Sequence, residues 1–292
     1  MSGAATTRPG TLYVVATPLG NLEDITARAL RVLGEVDLIA AEDTRHSRKL
    51  LNHFGIRTAL ISCHEHNEQQ RQEELVGRLL AGARLALISD AGTPAIADPG
   101  YRLVRACHAA GVPVVPVPGA SALLAALSAA GEPTDRFVFE GFLPARGKAR
   151  ETTLQLLRTE QRTVVCYETP HRLLATLAAI AAVWGADRPL VVARELTKLH
   201  EELFRGTVGE ALAHFSRERV RGELVLILPP WAAAAPERKL GDVLRERLAD
   251  SRLSRKEAVK QVAKEFGVAS SEVYRVSLEI DRVDGGGITE GQ

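Results

Sequence analysis

Three turns in this 292-residue chain place proline and glycine at the end of an apolar run. The first, Thr17-Pro18-Leu19-Gly20-Asn21-Leu22, closes the earliest such run. The second, Ser89 to Gly100, is the densest and carries Gly92, Gly100, Pro94, Pro99 and the carboxylates of Asp90 and Asp98. Proline fixes φ and glycine admits positive φ, so this segment reads as a rigid, shaped loop suited to a ligand. The third, Pro118-Gly119-Ala120-Ser121-Ala122, opens an alanine-rich helix with Ser121 as a natural N-cap. The free backbone N–H groups of that first turn suit an anionic group such as a carboxylate. An ordinary strand-to-helix turn in the first case, and capping alone in the third, account for the same residues. The chain has neither GxxxxGK[ST] nor GxGxxG after a strand, so nucleoside triphosphates and dinucleotides are not indicated.

Charged residues cluster at two further run ends: Glu42, Asp43 and Arg45 at one, Glu195 and Lys198 at the other. The segment His64-Glu65-His66-Asn67-Glu68 resembles a metal-ligand cluster in composition. Histidines at i and i+2 share a face only on a strand, and no third ligand set stands at suitable spacing, so no metal is expected. Substrate contact or loop anchoring suits its polar density better. Cys63, Cys107 and Cys166 lie far apart with no CxxC pair, which excludes a disulfide framework and a thiolate zinc site and fits a reducing compartment.

The elements that must position these groups alternate. Short apolar runs (12–16, 36–41, 85–89, 112–117, 137–139, 163–167, 190–193 and 224–228) are separated by segments of helical character (25–33, 73–80, 101–110, 121–129 and 171–183). This pattern predicts an α/β fold with largely parallel sheet, in two domains at 11–130 and 131–230 with a hinge near 131–150. The Pro229–Pro236 stretch breaks the strand pattern, and 237–283 reads as a helical appendage. Within it Ser254-Arg-Lys-Glu257 has capping-box spacing, Gly267 ends that helix, and a second begins near Ser270, as in a helix-turn-helix. A helical hairpin packed on the protein body has the same pattern. Residues 1–10 read as a flexible arm and 284–292 as a disordered tail. With a net charge of +1, any nucleic-acid surface must be local. No stretch approaches the ~18 apolar residues that span a bilayer, so a soluble, cytoplasmic protein without membrane association is expected.

Leu12-Tyr-Val-Val-Ala-Thr-Pro-Leu-Gly-Asn-Leu-Glu-Asp-Ile-Thr26, Ala41-Glu-Asp-Thr-Arg45, His64 to Glu68, Ser89-Asp-Ala-Gly-Thr-Pro94, Asp98-Pro-Gly-Tyr101, Pro116 to Ser121, Gly141-Phe-Leu-Pro144, Tyr167-Glu-Thr-Pro-His-Arg172 and Arg194-Glu-Leu-Thr-Lys198 occur in order. In these motifs, over about residues 12 to 228, the chain closely resembles the RsmI family of 16S rRNA cytidine 2′-O-methyltransferases, of the tetrapyrrole methylase superfamily. The resemblance implies two α/β domains with an S-adenosylmethionine cleft between them, usually in a homodimer, acting on 16S rRNA in the 30S ribosomal subunit without a metal. It implies a cofactor lining of Pro18, Asp90, Ala91, Gly92, Thr93, Ile96, Ala120, Ser121 and Ala122. The second domain adds Phe142, Tyr167 and the Leu224-to-Leu228 strand, with Leu226 at its centre.

Transfer to a ribose hydroxyl needs a proton acceptor and in-line orientation. Glu42, Asp43, Arg45, Glu195 and Lys198 are the candidates, with Arg45 and Lys198 holding phosphate or polarising the ribose and one carboxylate taking the proton. Local ion pairs would use the same residues. Arg146, Lys148 and Arg150, with Arg172 and Arg45, offer a basic rim for RNA or a merely solvated loop, and Arg255, Lys256 and Arg275 are the cations of the helical appendage. The rival readings are a methyltransferase of a tetrapyrrole or corrin precursor and a non-catalytic RNA-binding assembly factor. The Ala91-Gly92-Thr93-Pro94 loop, where tetrapyrrole enzymes typically carry Gly-Asp-Pro, and the complete glycine and proline framework argue against both.

Overall fold

The computed structural model describes residues 8–217, 219–230, 240–249 and 253–284, so the arm before residue 8 and the tail from 285 lie outside the described residues. The chain forms two compact units, Met1–Trp231 and Ala232–Gln292. The first contains two five-stranded sheets.

In the first sheet β1 (Leu12–Val15), β2 (Leu38–Ala41), β3 (Leu60–Ser62), β4 (Leu85–Ile88) and β5 (Val114–Val117) all run parallel, in the order β3-β2-β4-β1-β5. The strands β2 and β4 read Leu-Ile-Ala-Ala and Leu-Ala-Leu-Ile and are buried throughout, the pattern of strands covered on both faces. Their alternate residues feed two cores. Leu85 and Leu87 pack with Leu75 of α3 (Glu68–Leu80) and Leu103 of α4 (Tyr101–Ala109), while Ala86 and Ile88 pack with Leu33 of α1 (Ala27–Glu35) and Leu51 of α2 (Thr44–His53). Pro116 is tolerated because β5 is an edge strand. Since all the strands point one way, Val15, Ala41, Ile88 and Val117 end at one edge of the sheet. The turns noted in the sequence all open there.

The second sheet has the order β6-β7-β10-β8-β9, from β6 (Phe137–Phe142), β7 (Thr163–Glu168), β8 (Pro189–Arg194), β9 (Glu202–Thr207) and β10 (Leu224–Leu228). Only the β6–β7 pairing is parallel. One face is covered by α6 (Gly147–Leu157), α7 (Leu173–Trp184) and α8 (Val208–Phe215) through Leu154, Leu177, Ile180 and Phe215. The other face receives α5 (Ala122–Ala130), whose Ala126, Leu127 and Ala130 pack on Val165, Val191, Ala193, Val225 and Ile227. A boundary at residue 130 therefore separates α5 from the sheet on which it packs. The strands β3 and β9 escape the apolar pattern because both are sheet edges and only partly buried.

In the second unit, α9 (Leu240–Ala249), α10 (Arg255–Phe266) and α11 (Ser270–Asp284) share a small core of Val243, Leu244, Val262, Val273 and Ile280. The capping box forms: Ser254 Oγ accepts from the Glu257 N–H, and Glu257 Oε2 accepts from the Ser254 N–H at 2.9 Å. Gly267 ends α10 at φ +67°, in the left-handed region that favours glycine. Among the described residues, no helix is long and apolar enough to cross a membrane.

Candidate active site

The three proline and glycine turns are bonded into one scaffold. The Thr17 N–H donates to Gly92 O at 2.8 Å and the Gly92 N–H returns a bond to Thr17 O at 3.0 Å. The hydroxyl of Thr17 reaches Ser89 O at 3.1 Å, and that of Thr93 reaches Ala120 O at 3.2 Å. Ala95 and Ala97 hold φ of +67° and +60°, a conformation that costs an L-residue roughly 1–2 kcal/mol and persists where the surroundings dictate it. Part of that constraint comes from Glu68, 3% exposed, whose Oε1 accepts from the N–H groups of Gly100, Arg102 and Leu103 at 3.1, 3.1 and 3.3 Å. It caps α4, which begins at a glycine with no side chain to do so. In the same segment Asn67 Oδ1 accepts from the His64 N–H at 2.8 Å. The His64 to Glu68 segment is thus the loop anchor.

Against this scaffold lies a cavity of about 320 Å³, at the small end of the range for small-molecule sites, ~300–1,000 Å³. The first sheet contributes Leu19, Glu42, Asp90 to Thr93, Ile96, Asp98, Ser121 and Ala122, and the second contributes Phe142, Tyr167 to Pro170, Ala193, Leu196 and Gly222 to Val225. The Tyr167 hydroxyl accepts from the Leu123 N–H at 3.2 Å, tying β7 to the start of α5, and its ring meets Phe142 edge-on at 5.8 Å.

Some expected lining residues fall elsewhere. Pro18 is buried outside the cavity and Leu19 takes its place; Ala120 contributes through the carbonyl that holds Thr93. Leu226 is fully buried in the core beneath α6 and α7. The antiparallel register explains this: Leu224 lies opposite Glu168 and Arg194 at the cleft edge, and Leu226 is two residues further into the sheet.

The charge of the cavity has one sign. Glu42, Asp90, Asp98, Glu168 and Glu223 line it, with no lysine or arginine. Burial, then the neighbouring Asp90 carboxylate, raises the pKa of Glu42. Burial, then the Glu42 charge, pushes Asp98 up to about 6. The Asp43 N–H donates to Asp90 Oδ1 at 3.1 Å, but the Asp43 carboxylate turns away and grips Arg45, with Arg45 Nη2 to Oδ2 at 2.9 Å. That hydrogen-bonded guanidinium holds the Asp43 carboxyl well below the usual range. The Arg45 side chain is 89% exposed, so it stands outside the cavity.

Lys198 also stays outside the lining. Its ammonium sits between Glu195 Oε1 at 2.8 Å and Glu223 Oε2 at 3.1 Å, and its stem lies so close over Gly20 that a Cβ there would stand 2.5 Å from Lys198 Cγ. Burial works against the charge, but the two carboxylates outweigh it and raise the Lys198 pKa. A further bond, Asn21 N–H to Thr197 Oγ1 at 3.3 Å, joins the same loops from the two sheets. Gly222 is wedged beneath Glu195: at φ +88°, an added Cβ would lie 2.1 Å from Glu195 Cδ. Gly222→Ala is accordingly expected to cost about 1–3 kcal/mol and to depress methyl-transfer activity, read from the urea midpoint and the rate. An unchanged midpoint would show that the loop yields freely.

The expected basic rim is only partly present. Arg172 turns inward, its Nε 3.2 Å from Glu168 and its Nη2 donating to Leu143 O, and Arg150 is buried with Nη1 2.9 Å from Thr176 Oγ1. A buried carboxylate draws both arginines in, a feature invisible in a sequence where His-Arg opens a helix. Arg146 and Lys148 remain exposed at the start of α6. Sequence reasoning missed Asp98, Glu168, Leu196 and Glu223 as lining residues. Their adjacency to the quoted motifs was the available signal. Among the described residues, no group of three or more His, Cys, Asp or Glu side chains is placed to hold a metal ion.

Residues 11–212 match the family of Tetrapyrrole (Corrin/Porphyrin) Methylases. A ribosomal RNA small subunit methyltransferase I from Synechocystis sp. is 50% identical over 276 residues, which cover 93% of this chain and 99% of the relative. Proteins of that name from Escherichia coli O157:H7 and Pseudomonas aeruginosa are 49% and 50% identical over 92% of this chain, and 95% and 97% of their own lengths. Among solved structures, a cobalt precorrin-4 methyltransferase superposes with TM-score 0.59 at 18% identity, covering 75% of this chain and 94% of its own. A diphthine synthase does so with TM-score 0.61 at 14% identity, over 75% of this chain and 90% of its own. These two likenesses establish the fold. The chain belongs to the tetrapyrrole (corrin/porphyrin) methylase family and, within it, to the ribosomal RNA small subunit methyltransferase I family.

Proposed function

We infer that this protein transfers a methyl group from S-adenosylmethionine to the 2′-hydroxyl of a cytidine in 16S rRNA of the small ribosomal subunit. The observation that carries the cofactor assignment is the acidic cavity lined by five carboxylates and no basic side chain. Such a site favours a cation and repels phosphate. When bound, S-adenosylmethionine supplies an electrophilic methyl group on a positively charged sulfur.

The residues fit that group. Glu42, Asp90 and Asp98 provide negative charge beside the cavity, and Leu19, Ile96 and Phe142 provide apolar wall. The unbonded N–H groups at the start of α5, beyond the Ser121 cap, suit a carboxylate. Because the turns are bonded to one another, they hold their geometry before a ligand arrives, and orientation of this kind supplies much of the rate of a methyl transfer.

The acceptor hydroxyl must lose its proton. Asp43 and Glu195 are committed to Arg45 and Lys198, so the proton falls to the uncommitted pair of cavity carboxylates, Glu42 and Asp98. With cations excluded from the cavity, RNA phosphates belong outside it, where Arg45, Arg146 and Lys148 stand exposed. In this reading Lys198 positions the two sheets, with no part in the chemistry.

The test is transfer of labelled methyl to 30S subunits, naked 16S rRNA and a tetrapyrrole mixture. Label recovered as 2′-O-methylcytidine from one rRNA position is the expected result. Label on the tetrapyrrole with none on RNA would overturn the assignment.

A further inference from the structure

The acidic cavity leaves the protein with a problem: its polyanionic substrate must be held by surfaces elsewhere. We propose that the helical unit supplies one of them, a phosphodiester-binding groove between α10 and α11 that docks the sugar–phosphate backbone of the substrate RNA. This rests on the rRNA reading above.

The groove has a volume of about 480 Å³ and is lined by Arg255, Lys256 and Val259 of α10 and by Ser270, Ser271 and Tyr274 of α11. Every polar side chain in that lining is a donor: a guanidinium, an ammonium, two serine hydroxyls and a phenol. Guanidinium and ammonium have no acceptor atom, and the three hydroxyls present theirs readily to phosphate oxygens. The carboxylates of α9 and α10 are employed away from it. Glu257 closes the capping box with Ser254, Asp242 holds Arg245 at 2.9 Å and Glu265 lies 3.7 Å from Arg247. The balanced total charge of the appendage therefore conceals a local cationic lining. Along α11 the groove continues into an exposed stripe of Ser271, Tyr274, Arg275 and Leu278, opposite the buried Val273 and Ser277. Tyr274, 49% exposed, offers a ring face at that edge, where an unpaired base can stack.

A second, independent observation separates the helical unit from the catalytic fold. The structure named for cobalt precorrin-4 is aligned over 94% of its own length yet covers 75% of this chain, which is no more than the α/β unit Met1–Trp231 can supply. The Synechocystis relative named for ribosomal RNA covers 93%, which that unit cannot supply alone. The helices are thus kept in a protein named for RNA and lack a counterpart in one named for a small molecule.

The test uses the full chain with Lys256→Glu and Arg275→Glu together, assayed on 30S subunits and for S-adenosylmethionine binding. The proposal expects KM for the subunit to rise at least tenfold while the rate at saturating subunit and the cofactor affinity stay at wild-type values. It also expects the slope of log affinity against log salt to fall by about 1 for each cation removed. If the double reversal misfolds by circular dichroism, Lys256→Gln with Arg275→Gln reads the same slope. Unchanged KM and unchanged slope in a folded variant would overturn the proposal. Wild-type protein that fails to methylate any RNA would instead overturn the function on which it rests.

Discussion

Replacing Glu168 with alanine should remove about 3–5 kcal/mol of stability and lower the melting temperature by on the order of 10 °C. Glu168 is 2% exposed and accepts hydrogen bonds from the Thr169 N–H at 2.8 Å and the Thr176 hydroxyl at 2.5 Å. It also faces Arg172, and Thr176 in turn receives Arg150, itself 8% exposed. Removing the carboxylate leaves two guanidinium groups in a poorly hydrated interior with no counter-charge between them. That loss of a single partner is the costly case, since the remaining charge keeps its full desolvation penalty. Glu168→Gln retains the hydrogen bonds and should fall between wild type and alanine. Because Thr169 and Pro170 line the cavity, cofactor affinity should fall together with stability. A Glu168→Ala protein melting within a degree or two of wild type would mean that water reaches Arg172, and the buried-network account would fail.

The second large effect concerns Asp98 and carries a pH signature. Its folded-state pKa is pushed up to about 6, by burial first and by Glu42 second, above the ordinary value of 3.8. A raised carboxylate pKa means that the fold prefers the protonated form. The stability associated with that preference is fully present below about pH 4 and is lost as pH rises through about 6. The difference of about two units corresponds to roughly 3 kcal/mol, and solvent at the cleft wall reduces it to about 1–2 kcal/mol. Asp98→Asn, neutral throughout, should therefore melt about 2–8 °C above wild type at pH 8 and show no such gain at pH 4. The same substitution should cost activity, and the wild-type rise in rate through about pH 6 should flatten. Melting curves at pH 4, 6 and 8 decide the matter: a pH-independent difference would remove the charge of Asp98 as its cause.

Both residues lie beside motifs that the sequence makes conspicuous, yet neither role is legible there. The turns themselves are: glycine and proline constrain φ locally, so Asp90 to Thr93, Ser121 and Ala122 reach the cavity as the spacing implies. Positions that depend on strand pairing are harder to place. Leu226 misses the cavity by one two-residue step of an antiparallel register that only β7 and β8 define. Charge is the least legible. Arg172 and Arg45 are the same residue type beside similar motifs, and a buried glutamate takes one inward while an N-cap aspartate leaves the other 89% exposed. The edge strands β3 and β9 carry too little apolar character to stand out, whereas the capping box at Ser254 and Glu257 is local and is realised as read.

The placement of α5 bears on how the catalytic unit can be dissected. Its first residues, Ser121 and Ala122, border the cavity, and its last, Ala126 to Ala130, lie against the second sheet. A chain severed after residue 130 would give one fragment ending in an apolar helix stripped of its cover and another whose sheet has lost the roof over Val165, Val191 and Ile227. Neither half is a module in the sense of something that can be expressed, swapped or inherited alone, although each has its own sheet. The two sheets are coupled by a shared helix, so the smallest transferable piece of this enzyme is the whole α/β unit.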